Sequence, residues 1–218
     1  MKRLLGIILV VCMLFTACSS QPQEKYPPQK MDFGGGNYSW HYFDDKGQRI
    51  KYESYEKDVL KEIHYIEFDG EGNKIKDTTT DPEGNELSRT ETTWENGKKT
   101  YEIRYKNGLM SLEDFFDENE NNYLSKSYDK GVLYSWTESF YDENNRATIS
   151  VGYRADGTIS WMNEYSEDEN GNFVTQTSEF NENEELLKVV RKTSIPNGFR
   201  EEILLKNKTK AVTKVTAF

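Results

Sequence analysis

The chain has 218 residues, 28 basic and 38 acidic, for a formal net charge of −10, and that balance opposes nucleic acid and anionic headgroups as partners. Hydrophobic residues make up only 35%, while 14 Tyr, 11 Phe and 4 Trp point to a thin, aromatic core. Two Cys and two His in the whole chain leave the disulfide frameworks and nucleophilic triads short of parts.

Met1-Lys2-Arg3 is followed by an apolar run from Leu4 to Phe15 and the small pair Thr16-Ala17. The run is shorter than the roughly 20 residues needed to span a membrane, so residues 1–17 read as a removable secretory signal. Leu14-Phe15-Thr16-Ala17-Cys18 resembles the bacterial lipobox. The resemblance implies cleavage after Ala17 and a covalent lipid on Cys18, which would tie the chain to a membrane of the cell envelope. Ser19 at the next position leans the expectation toward the outer membrane or cell surface. Cys12 lies inside the signal, so Cys18 is the lone thiol of the expected mature chain, whose charge would be −12 after loss of Lys2 and Arg3. No other cofactor is expected. Residues 18–36, rich in Pro, Gln and Gly without apolar period, read as a flexible tether.

From residue 37 to 198, turn chemistry recurs every 11 to 15 residues or so. Asp69-Gly70-Glu71-Gly72-Asn73, Asp81-Pro82-Glu83-Gly84-Asn85, Glu95-Asn96-Gly97 and Lys106-Asn107-Gly108 are four examples. Asn-Gly pairs tolerate positive φ and close two-residue hairpins, whereas the longer Asp-x-x-Gly-Asn runs suit loops of three to five residues. Between turns the apolar residues alternate, as in Tyr101, Ile103 and Tyr105, or Ile159, Trp161 and Tyr165. Val59 to Phe68 is strand by its Val, Ile and Tyr content. The expectation is an all-β antiparallel meander of about 13 to 15 short strands in a curled or solenoid-like sheet. Two turns make one repeat of about 24 to 26 residues. Residues 199–218 depart from the repeat and read as a C-terminal capping hairpin.

Phe68-Asp69-Gly70-Glu71-Gly72-Asn73 and Tyr141-Asp142-Glu143-Asn144-Asn145 resemble YD repeats of Rhs-type proteins, while Trp94-Glu95-Asn96-Gly97-Lys98-Lys99 and Tyr105-Lys106-Asn107-Gly108-Leu109 resemble MORN-repeat variants of bacterial lipoproteins. Both resemblances imply β-hairpin arrays, and the second implies an interaction or scaffold role or an antitoxin-like one. Shared fold does not transfer function.

Catalytic chemistry finds little purchase. His41 and His64 read as separate strand residues, no Gly-x-Ser-x-Gly elbow is present, and the abundant carboxylates, Glu113-Asp114 among them, read as solvated groups at turns. Asp117 and Asp168 open acidic runs that are weak candidates for Ca²⁺, and neither run fits an EF-hand loop. Trp40, Trp94, Trp136 and Trp161 are the candidate binding surface for a protein or glycan partner, against the alternative that they form the core. Three functions follow: a non-catalytic envelope-anchored binding or scaffold module, an immunity protein for a secreted toxin, or a glycan-binding or glycan-hydrolysing envelope protein.

Overall fold

The computed structural model describes residues 25–196, 198–205 and 208–217, with side chains as far as residue 203. Among these residues every regular element is a strand. In chain order they are β1 (Gln29–Gly34), β2 (Asn37–Phe43), β3 (Arg49–Glu56), β4 (Val59–Phe68), β5 (Lys74–Thr80), β6 (Glu86–Glu95), β7 (Lys98–Lys106), β8 (Leu109–Phe116), β9 (Asn122–Asp129), β10 (Val132–Tyr141), β11 (Ala147–Arg154), β12 (Ile159–Glu167), β13 (Phe173–Phe180), β14 (Leu186–Ile195), β15 (Gly198–Leu205) and β16 (Lys208–Ala217). Each pairs antiparallel with its sequence neighbours alone, giving one 16-stranded sheet that is not closed into a barrel. The all-β hairpin meander is therefore as read from the sequence. The count exceeds 13 to 15 because β1 forms inside the stretch read as tether.

Two kinds of turn reverse the chain. At Lys57-Asp58, Asn96-Gly97, Asn107-Gly108 and Lys130-Gly131 both central residues have positive φ, between 49° and 81°, as two-residue hairpins that match strand twist require. The longer loops start with an Asp whose side chain clamps its own turn. Asp69 Oδ1 accepts the N–H groups of Glu71 and Asn73, and its Oδ2 accepts the Asn73 amide. Asp81, Asp117, Asp142 and Asp168 do likewise with the residue four positions on. This explains why Asp recurs there: the side chain satisfies backbone donors that the reversing strand cannot reach.

Nearly every hairpin carries a bulge a few residues beyond its turn, β12–β13 and β14–β15 being the exceptions. In three of them a hydroxyl on the extra residue repairs the interrupted ladder: Thr100 donates to the Thr93 carbonyl, Ser111 to that of Arg104 and Thr148 to that of Phe140. Bulges increase twist, which keeps so many strands from forming a flat ribbon.

With no second layer, the core is confined to mid-strand positions. Among the described residues Ile66, Ile103, Val151 and Val174 are the buried apolar residues, and no large side chain is fully buried. Short side chains in the middle rows are covered by long neighbours on adjacent strands: Ser39, Ser150 and Ser178 are each at most 7% exposed. Gly152 on β11 has the same cause. Trp161, its partner on β12, lies so close that a Cβ at Gly152 would sit 2.2 Å from the indole.

Candidate functional site

Cross-strand partners share a face, so the register sorts the side chains of this sheet into two sets. One face carries carboxylates held by tyrosines. Glu53 on β3 accepts hydrogen bonds from Tyr42 (3.1 Å), Tyr55 (3.0 Å) and Lys51 (2.7 Å). Sixty residues on, Glu113 on β8 accepts from Tyr101 (2.6 Å) and Tyr128, one on each neighbouring strand. Burial pushes both carboxyls up, and their hydrogen bonds more than reverse it, leaving both below the usual range. The phenols respond in the opposite sense: burial and then the carboxylate push Tyr55 and Tyr128 up to about 12, and Tyr101 higher still. Each carboxylate is thereby committed as an ionised acceptor.

The reading of Glu113-Asp114 as solvated turn acids is corrected here. Both lie within β8, and strand alternation sends them to opposite faces. Asp114 is 5% exposed and accepts from Asn122 (2.8 Å) and Ser125 (2.7 Å). With the sheet between them, these two groups cannot flank one glycosidic bond.

On the second face the two histidines, far apart in sequence, meet around one ring. His41, Tyr52 and His64 occupy successive strands and stack, with centroids 5.6 and 3.9 Å apart and planes within 15°. Arg49 lies over Tyr52 at 4.9 Å and donates to His41 Nδ1 at 3.1 Å. That hydrogen bond assigns the His41 proton to Nε2, which donates to Ser39 Oγ at 2.7 Å. Burial, reinforced by the Arg49 charge, lowers the His41 pKa. A histidine so placed cannot take the Ser39 proton, so the pair has the composition of a nucleophile and base without the polarity. His64 is held by Thr79 (3.0 Å) and Glu62 (3.3 Å).

The four tryptophans do not form one strip. Trp40 and Trp136 lie on the Glu53 face, where Trp136 stacks on Tyr153 at 5.0 Å. Trp161 is on the opposite face over Gly152, and Trp94, beside a bulge, is tied to the Lys74 carbonyl by its indole N–H at 3.0 Å. Trp136 and Trp161 both border a groove of about 560 Å³ that Tyr134 and Tyr153 also line. The strongest exposed aromatic feature was missed in the sequence: the β9–β10 hairpin carries Tyr123, Val132, Tyr134 and Phe140, between 44% and 70% exposed. Tyr123 and Tyr134 are its two bulge residues, skipped by the pairing, and bulges leave little trace in composition.

Asp117 and Asp168 spend their carboxylates on their own turns. Asp117 takes the N–H groups of Asn119 and Asn121, and Asp168 those of Asn170 and Asn172. Among the described residues no group of three or more His, Cys, Asp or Glu side chains could hold a metal ion. Cys18 and residues 1–17, read as a signal from the sequence, lie outside the described residues. No family model matches the chain, and no curated protein does.

Proposed function

We propose that the protein is a lipid-anchored envelope module that binds a protein or glycan partner and performs no chemistry of its own. The observation that supports it best is the exposed aromatic hairpin β9–β10 on an open sheet, where Tyr134 is 68% and Phe140 51% exposed. Exposed aromatic clusters of this kind mark interaction sites, because large rings give up water readily and lose little conformational freedom on contact. Glu53 and Glu113 are engaged by tyrosines, and the Ser39–His41 contact has the wrong polarity for catalysis.

The test is capture from envelope extract with the full chain, run beside a glycan array and repeated with Tyr134→Ser and Phe140→Ser. Binding that both variants lose while keeping the β-sheet dichroism supports the reading. Binding that neither variant alters refutes it. A captured basic toxin would favour the immunity role. Anchoring is tested separately: palmitate labelling and membrane partition should vanish in Cys18→Ser.

A further inference from the structure

β1 is an edge strand of the sheet, bare among the described residues. Among the described residues it pairs only with β2, and all six of its residues are exposed, Met31 by 51% and Phe33 by 68%. An unpaired edge carrying apolar side chains is a template for another strand unless its charges forbid pairing. Here they select a partner. Lys30 and Asp32 lie on one face, 3.4 Å apart, with Lys30 over the Tyr38 ring at 3.9 Å and Asp32 accepting the Gly34 N–H at 2.8 Å.

We propose that β1 pairs antiparallel with β1 of a second copy, in the register centred on Met31. Directly opposite residues then place Lys30 against Asp32 of the second copy, Asp32 against Lys30 of the second copy, and the two Met31 side chains against each other on the other face. The two registers centred on Lys30 or on Asp32 set like charges opposite one another, which cross-strand pairing disfavours. The bulge at Phe33 ends the pairing. The contact is isologous, so it closes at two copies, whereas joining β1 to β16 would run on as a filament. So short an interface falls well below the standard size and makes a reversible dimer. The inference is independent of the binding role proposed above.

Sedimentation equilibrium of the full chain in non-ionic detergent tests it. The expected result is a concentration-dependent dimer, weakened about tenfold or more by Lys30→Asp or by Asp32→Lys, since each turns both attractive pairs repulsive. The double variant, and equally a mixture of the two single variants, should recover association, because each restores opposite charges across the seam. Residues this exposed leave the fold intact, which circular dichroism checks. A chain monomeric at every concentration, an open-ended polymer, or a dimer indifferent to the charge reversals would each overturn the proposal.

Discussion

Glu53 and Glu113 are two solutions to one problem: how to keep a carboxylate on a sheet that has no second layer to cover it. Glu113 draws its phenols from β7 and β9, so the carboxylate stitches three strands together. Glu53 takes Tyr55 and Lys51 from its own strand and only Tyr42 from a neighbour. The same residue types therefore do different mechanical jobs. The Glu113 cluster resists separation of strands, whereas the Glu53 cluster mainly orders one strand's side chains.

The scale for that difference is set by packing away from both clusters. Gly152→Ala forces a methyl into the Trp161 indole and is expected to destabilise by about 3 kcal/mol, the upper end for overpacking. A red shift of tryptophan emission would report the displaced ring. Next, Glu113→Ala should cost about 2 kcal/mol and Glu53→Ala about 1 kcal/mol in urea unfolding, because the first unties phenols on both flanking strands and the second a phenol on only one. Equal losses would break the comparison, for they would mean that strand origin of the donors is immaterial.

Alkaline pH should find the same clusters. Tyr55 and Tyr128 have raised folded pKa values, so the stability they contribute is complete below pH 10 and is lost as pH rises through about 12. Acid acts with the opposite sign. The lowered Glu53 and Glu113 carboxyls stabilise above their unfolded range, and that stability disappears as pH falls through their folded values. Tyrosinate absorbance followed with the unfolding signal checks the first statement, and Tyr128→Phe and Tyr55→Phe should each flatten the alkaline limb to a similar degree.

What could be read in advance divides along the same line as local and non-local structure. Asn96-Gly97 and Asp69 to Asn73 announce their turns because the needed φ angles and backbone acceptors are supplied by those residues themselves. The strand over 59–68 was legible for a similar reason. Faces and neighbours were not legible. A bulge beyond nearly every turn resets the alternation, so Trp94 and Trp161 could not be assigned beside Trp40 or against it. His41 and His64 looked solitary because only the register of β2, β3 and β4 brings them to Tyr52. β1 was hidden by the Pro- and Gly-rich residues on either side of it, and its apolar residues stay largely exposed.

The smallest expected effect is the sharpest test of how the two carboxylates differ. Lys51 touches Glu53 at 2.7 Å and lies near the rings of Tyr42 and Tyr65, so it belongs to the Glu53 cluster in contact as well as in charge. Lys126 stands opposite Glu113 in the register and acts on it through space, while its ammonium sits 5.0 Å from the Phe115 ring. Lys51→Met should therefore cost about 0.5 kcal/mol and Lys126→Met close to nothing, since partly exposed ion pairs are weak and screened. Adding salt should erase the first cost without touching that of Glu113→Ala. If Lys126→Met proved the more damaging change, the Glu113 cluster would depend on charge neutralisation, and the idea that its two cross-strand phenols hold it together would fail.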